Sequence, residues 1–428
     1  MPTITPFRAL CYAPSLRRDL DRLVAPPYDV ISEERRDRLA SRHRNNIVHL
    51  DLPRAGPRGD PYDGASRLLE AWIRDHVLAR ESVPAYFACE QRYRAPSGEE
   101  RIRRGLFARV QLEPLDGGVV IPHERTLDRP RADRQRLLAV TRTHLSAVFM
   151  LHPDPGAEVS RVLAEVCAAE TCAQASDDDG TLSRLVRVDD ASRIGSLTQR
   201  LAGQWALIAD GHHRYESALA YRDERRAAGA RDAEHVLAFL CSLEDPGLAI
   251  FPIHRLVHSL QAFDAERFRT RLRELFDLTR IDGEDALRAA LGARLDRAGV
   301  FGIALRGETG FWLAEWKEGA GLGRPEMAPI PEPLRNLDVI LLHRLVLEGI
   351  LGITPEAQAR QANLDYVKDA RDWHAGVRSG RADLGVLMNP TRIEQVIEVT
   401  RKELRLPQKS TYFYPKVLSG LVLDPLDP

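Results

Sequence analysis

The sequence predicts an α+β protein, and three observations carry that reading. The stretches "AYFACEQRYRA" (85–95) and "RRGLFARVQLEPL" (103–115) alternate apolar and polar positions on either side of "PSGEE", the pattern of a β-hairpin. "WALIADGHHRYESALAYRDERRAAGA" (205–230) runs from a short apolar strand through an Asp-Gly turn into helical spacing. Near residue 260 strand-rich text gives way to text that reads as helix, so strands and helices are segregated along the chain.

Taken in order, the adjacent prolines of "VAPPYDVIS" (24–32) forbid helix and hold an extended loop. Ser32 before "EERRDRLASR" is an N-cap with acids in the first turn, so a helix starts there. "NNIVHLDLP" (45–53) alternates like a strand, and "YDGASRLLEAWIRDHVLA" (62–79) has helical spacing. Residues 119–152 give strand, polar loop, helix and strand. "ASDDDGTLSRLVRV" (175–188) is a turn followed by a strand, and "HVLAFLCSLEDPGLAIFPIHRLVHSL" (235–260) holds two more around "EDPG". Three parts are expected: an α/β part over 1–152, a strand-rich part over 153–260, and a helix-rich part over 261–428 that ends in a polar extended tail.

The 428 residues are 44% hydrophobic and 29% charged, with 61 Lys and Arg against 62 Asp and Glu. That is an ordinary globular balance, which argues against a nucleic-acid coat or a membrane-surface protein. The stretch "ERRDRLASRHR" (34–44) leaves some room for nucleic acid. Five cysteines without a C-x-x-C spacing (Cys11, Cys89, Cys167, Cys172, Cys241) argue against a disulfide framework or zinc knuckle. The N-terminus lacks an apolar core of signal-peptide length. "LDVILLHRLVLEGILGIT" (337–354) is interrupted by His343, Arg344 and Glu348 and reads as a buried helix rather than a membrane span. The expected compartment is the cytoplasm.

The densest chemistry lies in "IADGHHRYESAL" (208–219). A strand, a glycine turn and a helix start present unpaired backbone N–H groups and a positive dipole end, which suit a phosphate. Gly211 permits close approach, Arg214 has the fork to clamp two phosphate oxygens, and His212 and His213 can donate or shuttle protons. Asp210 is a candidate base or, through water, a holder of a metal ion. A solvated helix cap explains Asp210 and Gly211, but not two histidines and an arginine crowded beside them.

Other segments are less decisive. "IPHERTLD" (121–128) puts His123 and Glu124 in a proline-bounded loop that suits proton transfer and reads equally as a solvated loop. Leu127 breaks any H-E-x-x-H pattern. Asp29 in "PPYD" is a candidate carboxylate on a rigid loop, although a turn cap explains it as well. "PQKSTYFYPK" (407–416) offers Lys409, Ser410, Thr411 and Lys416 beside aromatics, fit for phosphate and base or for a packed strand. "GAGLG" (319–323) leads into prolines rather than a helix, and neither a P-loop nor a G-x-S-x-G motif is present.

"FRAL", "VAPPYDVIS", "IPHERT", "DRQRLLAVT", "IADGHHRYESAL", "PIHRLV" and "PQKSTYFYPKVLSGLV" follow one another across nearly the whole chain, and together they resemble the family called domain of unknown function 1015. The "DGHHR" element is also similar to the phosphate-contacting box of the ParB/sulfiredoxin-like superfamily, which includes a free-serine kinase. That resemblance implies a small mixed core with Gly211, His212, His213 and Arg214 on nucleotide phosphates and Asp210 and Glu216 beside them. Histidines stand where sulfiredoxins carry their cysteine, which puts sulfinic-acid reduction in doubt. "TRTHLSAVF" (141–149) lacks the Asn and Pro that the resemblance leads one to expect, and Arg129 or Arg131 replaces a lysine after "HExT".

The resulting expectation is a nucleotide-dependent phosphotransferase acting on a small hydroxyl-bearing metabolite, free serine among the candidates, with ADP or ATP and Mg²⁺. Asp210 or Glu124 would serve as base, with His123, His212 and His213 handling protons. Two alternatives use the same site: a phosphatase or nucleotidase, and a non-enzymatic nucleotide switch with a DNA or protein partner.

Overall fold

The computed structural model describes residues 3–55, 59–96, 98–124, 126 and 128–426, without the side chains of Asp128 and Arg129. The chain forms two compact units, one of residues 1–249 with 415–428 and one of residues 250–414.

The first unit is built on a nine-stranded mixed sheet. Its strands are β1 (Ile4–Thr5), β2 (Tyr86–Arg94), β3 (Glu100–Gln111), β4 (Val120–Pro122), β5 (Val148–His152), β6 (Ala173–Ser176), β7 (Leu182–Val188), β8 (Ala206–Asp210) and β9 (His235–Ser242). They lie in the order β4-β8-β5-β9-β3-β2-β7-β6, with β1 against β3. The expected hairpin forms, with β2 and β3 antiparallel and Cys89 opposite Gly105. Strand β8 runs parallel to β4 and antiparallel to β5.

Helices α1 (Glu33–Arg42), α2 (Pro61–Arg74), α3 (Asp128–Thr141), α4 (Glu158–Cys167), α5 (Ala191–Leu201) and α6 (His212–Ala227) accompany the sheet. Ser32 caps α1 as its sequence predicts, accepting from the Arg35 amide. Val159 and Leu163 of α4, Leu197 of α5 and Tyr215 of α6 pack on Leu106, Met150 and Ile208 of the sheet. This core faces one side of the sheet, as strand alternation requires.

Two stretches differ from expectation. "NNIVHLDLP" holds a helical turn over Val48–Asp51 rather than a strand. The Asn46 side chain explains it: its oxygen accepts from the Val48 amide, and its amide reaches the carbonyls of Arg22 and Val24. An Asx turn thus starts the helical turn, whatever the apolar alternation around it.

The text after 260 also holds more than helix. The second unit has a six-stranded sheet of β10 (His254–Val257), β11 (Phe276–Ile281), β12 (Val300–Leu305), β13 (Phe311–Trp316), β14 (Leu364–Val367) and β15 (Leu384–Met388), ordered β11-β13-β12-β15-β10-β14. β12 and β15 are buried along their whole length, and such short apolar runs carry no period that separates strand from helix. "LDVILLHRLVLEGILGIT" does form a buried helix, over Leu341–Ile350. No helix among the described residues is long and apolar enough to cross a membrane.

Gly105 marks a close approach within the first sheet. A β-carbon there would lie 2.2 Å from the Phe239 ring and 2.7 Å from the Leu240 carbonyl oxygen. Gly105→Ala is therefore expected to cost about 1–3 kcal/mol by overpacking. Chemical denaturation of the two proteins measures it as a lower midpoint at unchanged slope.

Candidate functional site

Strand direction assembles the site. Because β4 and β8 are parallel, the chain leaves both at the same end of the sheet: "HE" follows Pro122 and "GHHR" follows Asp210. The antiparallel neighbour β5 begins at that end, so Ala147 and Val148 lie there too. Between Ile208 and Asp210 the pairing with β5 shifts register, Ile208 opposing Met150 and Asp210 opposing Phe149. A bulge of this kind turns the strand end and re-aims its side chain.

Gly211 then takes φ 91°, and the helix that follows has no side-chain cap and no acid in its first turn. The sixteen residues of α6 thus direct a positive dipole end at the turn. Glycine is required here twice over. The left-handed φ disfavours other residues, and a β-carbon would fall 2.8 Å from Nε of Arg214, which folds back beneath the turn.

Asp210 is the hub of the site. Oδ2 accepts from Nη2 of Arg214 at 2.6 Å, and Oδ1 accepts from Nζ of Lys416. Burial alone would raise its pKa, but the Lys416 and Arg214 charges outweigh burial and hold the carboxyl well below the usual range. An acid this firmly ionised is a poor proton acceptor, and it serves better as an anchor. One carboxylate thus serves two buried cations.

Arg214 spends its remaining nitrogens inside the protein. Nη1 donates to the Ala147 carbonyl, and Nε is buried without a hydrogen bond. Arg214 lines a cavity of about 40 Å³ with Arg134, His144, Ser146 and Ser217, room for one water molecule.

The two loops meet through histidines. The His123 backbone N–H donates to Nε2 of His212 at 3.3 Å, and the rings stand edge to face with centroids 4.7 Å apart. A neutral His212 therefore carries its proton on Nδ1. Burial, then the neighbouring His123, pushes the His212 pKa down to about 3. His123 is fully buried, and its Nδ1 donates to the Ile208 carbonyl at 2.6 Å, which turns Nε2 toward Glu124 Oε1 at 3.7 Å. Carbonyl, imidazole and carboxylate thus lie in that order beside the turn. Thr126 Oγ1 donates to Glu216 Oε2 at 2.6 Å, a further tie between the loop and α6.

Residues 4–340 match the family described as "protein of unknown function (DUF1015)". The chain belongs to this family. No curated protein sequence matches it significantly. Among solved structures, a conserved hypothetical protein from Pyrococcus furiosus shares 15% identity over 72% of this chain and 90% of that one, with a TM-score of 0.34. A free serine kinase in complex with AMP gives 14% identity, 72% and 86% coverage and a TM-score of 0.34. SbnI with a C-terminal truncation, from Staphylococcus aureus, gives 10% identity, 75% and 87% coverage and a TM-score of 0.37. These likenesses are too distant to bear on what this family member does.

The remaining sequence-derived residues separate clearly. "PPYD" comes toward the box through Tyr28: the Arg134 guanidinium lies over its ring at 4.2 Å. Burial and then Asp29 push the Tyr28 pKa up, against the charges of Arg134 and Arg214. Asp29 itself is exposed. His213 is half-buried, with its carbonyl accepting from the Ser217 hydroxyl. Arg131 stands 3.9 Å from Glu216 Oε2, while the Arg129 side chain lies outside the described residues.

Lys409, Ser410 and Thr411 belong to the second unit. There the Lys409 carbonyl accepts from Arg255, and the Ser410 hydroxyl donates to the Pro407 carbonyl. Lys416, at the end of the same motif, lies in the first unit and reaches Asp210. Arg134, buried against Asp51, is a supporting residue for which the sequence held no signal.

Two outcomes test this geometry. Asp210→Asn leaves Lys416 and Arg214 buried without their counter-charge and is expected to cost about 3–5 kcal/mol in denaturation. The second concerns acid. His212 has a lowered folded pKa, so below its ordinary value of 6.5 the unfolded chain binds a proton that the folded chain refuses until about pH 3. Stability therefore falls as pH falls through that window. His212→Gln keeps an acceptor for the His123 amide and removes the titration. The loss of stability between pH 7 and pH 5, measured by urea unfolding, is expected to shrink by about 2 kcal/mol.

Proposed function

We propose that the protein is a phosphoryl-transfer enzyme that holds nucleotide phosphates at the 210–214 turn and passes a phosphoryl group to a small hydroxyl-bearing metabolite. The observation that carries this reading is the placing of two cations, Arg214 and Lys416, on Asp210 at an uncapped helix N-terminus. An anion suits the helix dipole, and a phosphate has the oxygens to accept from several backbone N–H groups at once. The amides of residues 212–214, with His213 at the rim, are the proposed cradle, and Arg214 and Lys416 act on the phosphate mainly through their field.

In this reading the acceptor hydroxyl loses its proton to Glu124 or to Nε2 of His123. Its oxygen forms a bond to the terminal phosphorus, the bond to the bridging oxygen breaks, and a nucleotide one phosphate shorter departs. Among the described residues no group of three or more His, Cys, Asp or Glu is placed to hold a metal ion. Charge neutralisation on the nucleotide's phosphates is what a magnesium ion would supply in this reading.

The protein incubated with ADP or ATP, Mg²⁺ and a panel of hydroxyl-bearing metabolites, free serine first, is expected to yield a phosphorylated acceptor by mass spectrometry. Glu124→Gln is expected to lower turnover by roughly 10²-fold or more while nucleotide affinity stays within a few-fold. No phosphorylated acceptor and no nucleotide turnover would overturn the reading. Release of phosphate from esters without any acceptor would assign the same site to hydrolysis.

A further inference from the structure

Gln91, Arg103 and Ser183 make one polar row across three adjacent strands, Ser183 opposite Gln91 and Gln91 opposite Arg103. All three are buried, Arg103 completely. The Arg103 guanidinium donates from Nε at 3.1 Å and from Nη2 to the Gln91 side-chain oxygen, while Nη1 makes no hydrogen bond. Its face lies 4.5 Å from the Phe149 ring and 5.3 Å from the Phe239 ring. The Gln91 amide, in turn, donates to the Lys416 carbonyl at 3.0 Å and to Ser183 Oγ at 3.3 Å.

A buried cation held by an amide oxygen and two aromatic faces is expensive, and an apolar side chain of similar volume would serve packing better. Its contacts suggest another purpose. One arm runs through Gln91 to the backbone of Lys416, whose ammonium holds Oδ1 of Asp210. The other runs through the ring of Phe149, whose backbone is the register partner of Asp210. Two supports of the Asp210 cluster thus pass through one guanidinium.

We infer that Arg103 is a positioning residue for the 210–214 turn, acting through Gln91 and Phe149 to fix where the Lys416 ammonium meets Asp210. The effect expected on nucleotide binding rests on the proposed function, whereas the effect on Lys416 does not. Arg103 touches no phosphate in this scheme. It holds the Lys416 backbone against Gln91, so the ammonium meets Asp210 in one place.

Gln91→Glu separates positioning from simple support of the fold. It keeps an acceptor for Arg103 and gives that cation a charged partner, but it replaces the donor to the Lys416 carbonyl with an oxygen that repels it. The full-length variant is expected to melt at or above the wild-type temperature. Competitive acetylation with acetic anhydride, read by mass spectrometry, is expected to modify Lys416 roughly fivefold faster than in the wild type, the factor that loss of one net hydrogen bond carries. The exposed Lys402 serves as the internal control. Arg103→Lys, which keeps the charge but loses the planar fork, should raise Lys416 labelling in the same direction.

ADP affinity measured by calorimetry should weaken by a similar factor in both variants. Unchanged Lys416 labelling in a folded Gln91→Glu protein overturns the inference, as does a lower melting temperature with all lysines labelled faster together. Labelling that responds in a protein that binds no nucleotide supports the positioning role and overturns the proposed function instead.

Discussion

The Asp210 carboxylate, shared between Arg214 and Lys416, is the interaction on which the first unit's site depends. It ties together the end of a strand, the first turn of a sixteen-residue helix and a segment that re-enters this unit after the second unit has been traversed. Each of these groups is nine-tenths buried or nearly so, and an unpaired charge at that depth costs several kcal/mol. The three charges therefore stand or fall together. The glycine that follows is constrained by the same cluster, because Arg214 occupies the space a side chain would need.

The histidines divide their work by environment rather than by type. His212 is walled in, kept neutral and used as a hydrogen-bond acceptor for the neighbouring loop. His123, equally buried, is turned by the Ile208 carbonyl so that its second nitrogen faces a carboxylate. One ring links two loops through a hydrogen bond; the other brings its second nitrogen to 3.7 Å from Glu124. Identical side chains acquire opposite duties because one backbone carbonyl and one backbone N–H stand where they do.

What was legible in the sequence was local. The hairpin, the strand–glycine–helix passage at 206–227 and the Ser32 cap follow from neighbours in the chain, and each forms as read. The approach of "PHE" to "DGHHR" was not legible, because it depends on parallel pairing of β4 with β8 across 86 residues or so, and no spacing rule reports such a pairing. Lys416 shares one motif with Lys409, Ser410 and Thr411, and sequence alone reads the four as one group. The chain passes from one unit to the other between Tyr414 and Pro415, so this one motif is divided between two units. Gln91 and Arg103 were hidden for a different reason: their alternation marks them as facing inward, while their polarity argues for solvent.

The return of residues 415–428 to the first unit has a consequence for how the protein is made. Leu423 pairs with Leu10, Ser419 with Ala25, and Asp424 with His144, so the closing segment is woven into parts of the chain that leave the ribosome far earlier. The whole second unit is synthesised in between. Until then the Asp210–Arg214 pair waits without its lysine, and the early segments wait without their backbone partners. The site is thus completed only after the second unit has been translated, which makes the charge pattern at the turn a late event in the life of each new chain.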